Sequence, residues 1–207
     1  MMTRTDIKLR AKGILRQNYS MSLVPILIYI AISALAATFT FGLGFIITLP
    51  LGVGMQLIYI MLWRDERPSF ELMFQSAFSE NFGRKLGGML LVSVFTFLWS
   101  LLFVIPGIVK MYSYAMTPYI LAKYPNVEAM QAINISQRIM RGRKLELFVV
   151  ELSFLGWQLL SVLTLGILNI LYVTPYIFIT KAGCFDIYLA DAIERGAVDR
   201  AELRETV

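Results

Sequence analysis

The sequence contains no histidine and a single cysteine, Cys184. A disulfide within one chain needs two cysteines, and zinc sites and catalytic triads are commonly built with Cys or His. The composition therefore excludes an intrachain disulfide, a Cys/His zinc site and a His-based triad. The few carboxylates are scattered and do not form a converging set of acid, base and nucleophile. We expect a non-enzymatic protein without a metal or cofactor.

Charge is also scarce. Charged residues make up 16% of the chain and hydrophobic residues 57%, against about 25% and about 45–50% in soluble domains. Residues 17–63, 86–109 and 152–180 contain no Asp, Glu, Lys or Arg. A helix crosses the hydrocarbon core with about 20 apolar residues. Because these runs are continuously apolar, they predict an all-α, polytopic transmembrane helix bundle and not a barrel of alternating strands.

We predict one domain, residues 1–207, with six transmembrane helices in three hairpins. The ranges are 21–40, 45–63, 86–104, 107–123, 147–164 and 168–188. The turns inside the hairpins are expected at Phe41–Gly44, Ile105–Gly107 and Thr164–Asn169. The charged start of the chain is unlike a cleaved signal peptide, so we expect the first helix to be retained.

Basic residues lie on one side of this topology. All lysines and arginines except Lys110 and Lys181 flank the helices on the side of the termini, and the hairpin turns carry none. The positive-inside rule makes that side cytoplasmic. We therefore expect a multi-pass protein with both termini in the cytoplasm. The net charge of +5 follows from this bias, and we expect no nucleic-acid binding.

Each predicted hairpin follows an amphipathic segment, which indicates a threefold internal repeat. The units are about 5–63, 69–123 and 127–188, followed by a cytosolic tail at 189–207 that is either a helix or frayed. The amphipathic helices are expected to lie in the headgroup layer, to pack beneath the bundle, or to do both.

The third amphipathic helix is predicted to carry Val127, Met130, Ile133 and Met140 on one face. If this helix lies in the headgroup layer, its basic end contacts anionic lipid. The candidate anionic-lipid contacts are Arg138, Arg141, Arg143 and Lys144.

Polar side chains inside the predicted spans are candidates for function, because a charge there costs about 2.5–3.5 kcal/mol on insertion scales. From their depths, Glu151 is expected to pair with Lys181, and Lys110 is expected to snorkel outward. Structural ion pairing and tyrosine anchoring at the interface are the alternative interpretations. The candidate polar site comprises Lys110, Tyr112, Tyr114, Glu151, Tyr176 and Lys181.

Proline and glycine mark irregular and close-packed points of the spans. Pro50, Pro118 and Pro175 lie inside predicted helices and are expected to kink them and free carbonyl groups. The glycines of Gly52–Gly54 and Gly83–Gly88 are expected to permit close helix packing.

Two segments resemble a known family. One runs from Ile105 to Leu121 and contains Pro106-Gly107 and Pro118, and the other contains Met140-Arg141-Gly142-Arg143-Lys144 and ends at Glu151-Leu152-Ser153-Phe154. Together they resemble the domain-of-unknown-function family 975, which consists of bacterial integral membrane proteins. The resemblance implies a location in the bacterial cell membrane, but no reaction and no functional residues. A more distant resemblance is to the membrane domain that accompanies some glycerophosphodiester phosphodiesterases.

Three functions fit these features. The first is a non-enzymatic membrane protein that binds, senses or moves a lipid or other amphiphile. The second is a small-solute or ion transporter or channel, with its path between the second, fourth and sixth helices. The third is an accessory subunit of a larger complex. The expected partners are membrane lipids, with a membrane-protein partner or a homo-oligomer as further hypotheses.

Overall fold

The computed structural model describes residues 2–39, 45–78 and 81–203, and all regular elements in these ranges are helical. The turn predicted at Phe41–Gly44 lies outside them. A π-helix at Asn169–Val173 precedes the last long helix, and a 3₁₀ helix at Arg200–Leu203 follows it. The α-helices are α1 (Arg4–Gln17), α2 (Tyr19–Phe39), α3 (Phe45–Trp63), α4 (Phe70–Phe78), α5 (Phe82–Leu102), α6 (Val104–Tyr114), α7 (Thr117–Lys123), α8 (Ala129–Ile139), α9 (Lys144–Leu152), α10 (Leu155–Leu163) and α11 (Thr174–Glu194).

Four helical stretches are long and apolar enough to cross a membrane, in agreement with a membrane protein. They are Tyr19–Thr38, Phe82–Leu101, Lys144–Leu163 and Asn169–Glu194. The structure thus gives four such stretches among the described residues where the sequence predicted six. The second predicted span corresponds to a shorter apolar stretch in α3, and the fourth is divided between α6 and α7.

The helices form an inner and an outer group. Helix α3 lies at the centre and packs against α2, α4, α5, α7 and α11. Its residues Leu51, Val53 and Ile58 are fully buried. Only 17% of the apolar stretch of α2 and 11% of that of α5 is buried, against 50% for the stretch that contains α11. The outer helices therefore present the apolar surface, and α3, α7 and α11 pack inside.

The amphipathic helices α1, α4 and α8 pack on this bundle through their apolar faces. Helix α1 packs on α11, α4 packs on α3, and α8 packs on α5 and α7. The structure shows packing on the bundle, which is one of the arrangements that the sequence predicted. The buried face of α8 consists of Ala132, Ile133, Ile135, Ser136 and Ile139. The sequence placed Met130 on the same face as Ile133, but Met130 is 45% exposed. The buried face of α8 instead includes Ser136.

Helices α6 and α7 are separated by a break at Ala115–Met116. Pro118 follows directly, and because proline has no N–H it cannot continue the hydrogen-bond ladder across the break. The buried side chain of Ser136 bridges the gap. Its hydroxyl donates to the carbonyl of Ser113 at 2.9 Å and accepts from the N–H of Met116 at 3.2 Å. A residue of α8 therefore satisfies two backbone groups at the break.

Three arginines bind the ends of inner helices. Arg10 donates to the carbonyl of Trp63 at 2.8 Å, at the end of α3. Arg84 donates to the carbonyls of Leu121 and Tyr124 at 2.9 and 3.0 Å, at the end of α7. The last carbonyls of a helix lack partners within it, and the helix dipole favours a cation there. These arginines therefore stabilise helix ends.

The third arginine, Arg143, lies beside the last turns of α11. It pairs with Asp191 at 3.0 Å, and its guanidinium lies 5.6 Å from the centroid of the Tyr188 ring. It also pairs with Glu146 at 2.7 Å. Arg143 thus joins the start of α9 to the end of α11.

Helix α11 extends into the predicted tail as far as Glu194, and a 3₁₀ helix follows at Arg200–Leu203. Gly196 has a φ of +68°, which glycine adopts at little cost, and the chain turns there. The tail then packs back, with Val198 and Leu203 buried. Glu202 pairs with Arg138 of α8, and this hydrogen bond holds the pKa of the Glu202 carboxyl below its ordinary value. The ion pair fixes the tail to α8.

The predicted close packing at glycine is confirmed at two positions. A Cβ atom at Gly54 would lie 2.1 Å from the carbonyl oxygen of Met73 in α4, and one at Gly88 would lie 2.8 Å from Leu121. Gly107 was placed wrongly in a turn. Helix α6 already begins at Val104 after the single extended residue Phe103, so Gly107 instead packs against Ser100 of α5.

We expect Gly54→Ala to lower the free energy of unfolding by about 1–3 kcal/mol, because a methyl group there meets backbone atoms of α4 that cannot move alone. Gly52→Ala is the matched control, since the nearest atom to a Cβ there lies 3.9 Å away. Thermal unfolding in detergent, followed by tryptophan fluorescence, measures both. Equal melting temperatures for the two variants would contradict the packing described here.

Candidate functional site

A polar cluster joins α6, α9 and α11. Lys181 of α11 donates to one carboxylate oxygen of Glu151 at 2.7 Å, and the hydroxyl of Tyr112 donates to the other. The pairing predicted for Glu151 and Lys181 is thus present, and Tyr112 completes it. The side chains of Lys181 and Glu151 are 28% and 30% exposed. The carboxylate therefore has two partners and still reaches the surface of the bundle.

The position of Glu151 depends on a break that the sequence did not predict. The fifth predicted span is interrupted at Ser153–Phe154, between α9 and α10. Ser153 bonds back to the carbonyl of Val150, and Lys8 of α1 donates to the Ser153 hydroxyl at 3.0 Å. Phe154 is buried against Tyr176, with ring centroids 4.9 Å apart. Contacts from other helices thus hold the break next to the ion pair.

Tyr176 belongs to the docking site of α1 and not to the ion-pair cluster. Its hydroxyl donates to the carbonyl of Lys8 at 3.0 Å. The Lys8 ammonium lies 4.5 Å from the Phe154 ring centroid. Tyr176 and Phe154 therefore bind the amphipathic helix α1 to the bundle.

Lys110 and Tyr114 form a further group on α6. The Lys110 ammonium lies 4.6 Å from the centroid of Trp99 and 5.9 Å from that of Tyr114. No carboxylate of the described residues lies within ion-pair distance of Lys110. The side chain thus contacts aromatic rings.

The four predicted anionic-lipid contacts divide into two pairs. Arg138 and Arg143 form ion pairs with carboxylates of the same chain. Arg141 is exposed and Lys144 partly exposed, and neither forms an ion pair within the described part of the chain. Arg141 and Lys144 therefore keep positive charge that the carboxylates of the described residues do not neutralise.

A second charged group, which was not predicted from the sequence, surrounds Asp186 of α11. The carboxylate accepts from Arg64 at 2.6 Å and from the Tyr119 hydroxyl at 2.8 Å, and Lys123 lies 3.6 Å away. A cavity of about 310 Å³ adjoins this group. These contacts connect the ends of α3, α7 and α11, and no sequence spacing relates residues so far apart in the chain.

The prolines behave differently from one another. The helix breaks just before Pro118, as predicted. Pro175 follows the π-helix, and the carbonyl of Leu171, which its missing N–H leaves free, accepts from the Tyr19 hydroxyl at 3.1 Å. Pro50 lies within α3, which continues through it from Phe45 to Trp63. The freed Leu171 carbonyl is thus satisfied by a side chain of α2, and no ion is needed there.

Comparison with known proteins gives a family for the part of the chain that holds these groups. Residues 101–186 match the family described as protein of unknown function, DUF975. The family resemblance seen in the sequence is confirmed for this region. The comparison with curated proteins found no match, and neither did the comparison with solved structures. The more distant resemblance to a membrane domain of phosphodiesterases stays a prediction.

The DUF975 region contains the whole polar cluster and most of the groups around it. Tyr112, Glu151 and Lys181 all lie within residues 101–186, as do Lys110 and Lys144. The partner residues Lys8 and Arg10 lie outside it. The ion pair is therefore a feature of the matched region, and the docking of α1 adds contacts from beyond it.

We expect Glu151 and Lys181 to be energetically coupled. Lys181→Met leaves the carboxylate without its cation and is expected to cost about 1–2 kcal/mol, less than the 3–5 kcal/mol of a fully buried pair because the two side chains are only partly buried. The double variant Glu151→Gln/Lys181→Met is expected to recover part of this loss. A double-mutant cycle of thermal unfolding, with Lys12→Met as control, measures the coupling. Purely additive effects would show that the pair contributes nothing.

Proposed function

We propose that the chain crosses the membrane six times, as three units that each consist of an amphipathic helix and a hairpin. Helices α2, α5 and α9–α10 are the outer members of the hairpins, and α3, α6–α7 and α11 are the inner members. Helices α3 and α7 pack against protein, so a shorter helix such as α3 fits there, and α8 covers the break between α6 and α7. This arrangement accounts for four long apolar stretches in a six-span protein.

The arginine contacts support the repeat. Arg10, Arg84 and Arg143 each bind the end of the inner helix of their own unit. Arg84 and Arg143 also occupy the same place in the similar sequences Gly83-Arg84-Lys85-Leu86 and Gly142-Arg143-Lys144-Leu145. The three inner helices end on the side where the basic residues lie, which supports a cytoplasmic location for both termini.

For the activity, we propose that this non-enzymatic protein binds a lipid or other amphiphile at the surface formed by α6 and α9. The observation that carries the proposal is a polar group open to an apolar surface. The Tyr112–Glu151–Lys181 cluster is part-exposed, and apolar side chains of both helices flank it. The exposed apolar residues are Ile108, Val109 and Met111 of α6 and Leu145, Phe148 and Leu152 of α9. An amphiphile needs both kinds of contact.

The packing of the inner helices supports binding at the surface over passage through the centre. Tyr59, Tyr119 and Phe185 are fully buried between α3, α7 and α11. Tyr119 packs edge-on against Phe185 with centroids 5.9 Å apart, and its hydroxyl is bound by Asp186. Large aromatic side chains with satisfied hydroxyls thus occupy the route between the second, fourth and sixth predicted helices.

A small-solute or ion transporter is the alternative, and the charged pair favours it. Glu151 and Lys181 lie within two of the helical stretches that are long enough to cross the membrane. Ionisable groups in such places often mark transport paths. The two proposals differ in what binds the Glu151–Lys181 pair. In the first an amphiphile stays bound, and in the second a solute binds in passing.

The test is native mass spectrometry with lipid analysis of protein extracted gently from its own membrane. We expect about one amphiphile to be retained per chain. Leu152→Trp is expected to reduce retention severalfold, because a large ring occupies the apolar surface beside the cluster. Leu35→Trp on α2 is the matched control, since Leu35 is 59% exposed and Leu152 is 50% exposed.

Wild-type protein that retains no amphiphile would overturn the binding proposal. Flux of a solute through reconstituted vesicles, lost in Glu151→Gln and kept in Leu152→Trp, would favour the transporter instead. Equal loss of lipid in both tryptophan variants would show that lipid is held all around the bundle and not at α6 and α9.

A further inference from the structure

Two polar side-chain atoms at the contact between α2 and α3 are buried without a hydrogen-bond partner among the described residues. They are the nitrogen Nε2 of Gln56 on α3 and the hydroxyl oxygen of Ser33 on α2. Gln56 is only 5% exposed. Because such a group gives up its bonds to water on burial, native proteins rarely leave one without any partner. Both atoms therefore indicate that a further group binds here.

Two contacts define how α2 and α3 are aligned. The hydroxyl of Tyr59 donates to the carbonyl of Ser22 at 2.8 Å. A Cβ atom at Gly52 would lie 3.9 Å from the ring of Tyr29. The second contact lies seven residues farther along α2 and seven residues back along α3, so the two helices run antiparallel in a single alignment.

This alignment shows which residue of the neighbouring helix each unbonded group faces. Gln56 lies one turn from Tyr59 on the same face of α3, and it faces Pro25 of α2 to within a helical turn. By the same alignment, Ser33 faces Thr48 of α3. Pro25 and Thr48 are themselves buried, so both places lie inside the contact between the helices.

Proline leaves acceptors unbonded at the same contact. A proline inside a helix has no N–H for the carbonyl four residues earlier, which points toward it along the helix. Pro25 thus frees the carbonyl of Met21, and Pro50 frees that of Ile46. No side chain of the described residues donates to either carbonyl. Each of the two helices therefore carries one free acceptor.

Each free acceptor lies close to an unbonded donor. The Met21 carbonyl points toward the proline that faces Gln56, and the Ile46 carbonyl points past Thr48, which faces Ser33. No direct hydrogen bond joins either pair. A small molecule between the donor and the acceptor would satisfy both.

We infer that α2 and α3 bind two water molecules between them. One accepts a hydrogen bond from Nε2 of Gln56 and donates one to the carbonyl of Met21. The other joins the Ser33 hydroxyl to the carbonyl of Ile46. Residues 17–63 contain no charged side chain, so this contact offers an ion nothing that neutralises it. Water is the smallest neutral molecule that both accepts and donates, which is what each place requires.

The bound water explains how proline is accommodated in two adjacent apolar helices. The carbonyl that Pro175 frees is bound directly by Tyr19, whereas the carbonyls that Pro25 and Pro50 free are bound through water. The site belongs to other helices than α6 and α9. It therefore does not depend on the amphiphile binding proposed above.

A double-mutant cycle of thermal unfolding in detergent tests the first water molecule. Gln56→Met removes the donor and leaves the Met21 carbonyl unbonded, and it is expected to lower the melting temperature by about 3 °C. Pro25→Ala restores the N–H that this carbonyl lacks, so Gln56→Met is expected to have little effect in that background. Pro50→Ala is the matched control, because it restores the N–H for the other carbonyl and is expected to leave the full loss.

The second water molecule predicts the reciprocal result. Ser33→Ala is expected to lower the melting temperature by a similar amount in the wild type and in Pro25→Ala, and by little in Pro50→Ala. The same four backgrounds thus serve both cycles, and each proline is the control for the other.

Three outcomes would overturn the inference. A higher melting temperature of Gln56→Met in the wild type would show that the amide has no partner in the native protein. An equal loss in both proline backgrounds would show that the amide and the Met21 carbonyl are not connected. Electron cryomicroscopy at a resolution that reveals water separates a bridge from a direct bond. We expect density between Nε2 and the Met21 carbonyl oxygen, and a direct contact of about 3 Å without it would be the third contrary outcome.

Discussion

The structure depends on the need to satisfy backbone polar groups that have no access to water. Every irregularity in an apolar bundle leaves N–H or carbonyl groups without partners, and each costs free energy if it stays that way. Ser136 closes the break between α6 and α7, Tyr19 binds the carbonyl left free before Pro175, and Arg84 binds the end of α7. Because these partners lie on other helices, satisfying the backbone also fixes the position of α2, α5 and α8 around the centre.

The same constraint distinguishes charged side chains that bind groups of the protein from those that remain available to a ligand. An arginine that binds carbonyls at a helix end, or a carboxylate nearby, already donates hydrogen bonds within the protein. Arg84 and Arg143 are of this kind, although their place beside the spans is also where lipid-binding cations are expected. The Tyr112–Glu151–Lys181 cluster differs, because it is only partly buried and lies beside the exposed apolar residues of α6 and α9. Our proposal of amphiphile binding follows from this difference.

The sequence predicted those features that depend on local pattern. The charge-free runs predicted the apolar helices, depth along the spans predicted the Glu151–Lys181 pair, and Gly54 was rightly expected at a close contact. It did not predict the break at Ser153–Phe154, because no proline marks it and the contacts that hold it come from Lys8, far away in the chain. The partners of Arg84 and Asp186 were missed for the same reason. Lys110 was expected to turn outward, and only the packing of α5 against α6 reveals its contact with Trp99.

The most direct test of this account is an electron cryomicroscopy structure of the protein in nanodiscs that contain phosphatidylglycerol. It shows at once which cations bind protein and which bind lipid. We predict lipid density along the exposed apolar residues of α6 and α9, with a polar headgroup beside the Tyr112–Glu151–Lys181 cluster, and none at Arg84 or Arg143. Lipid density at Arg84 or Arg143, with none beside the Tyr112–Glu151–Lys181 cluster, would contradict the account.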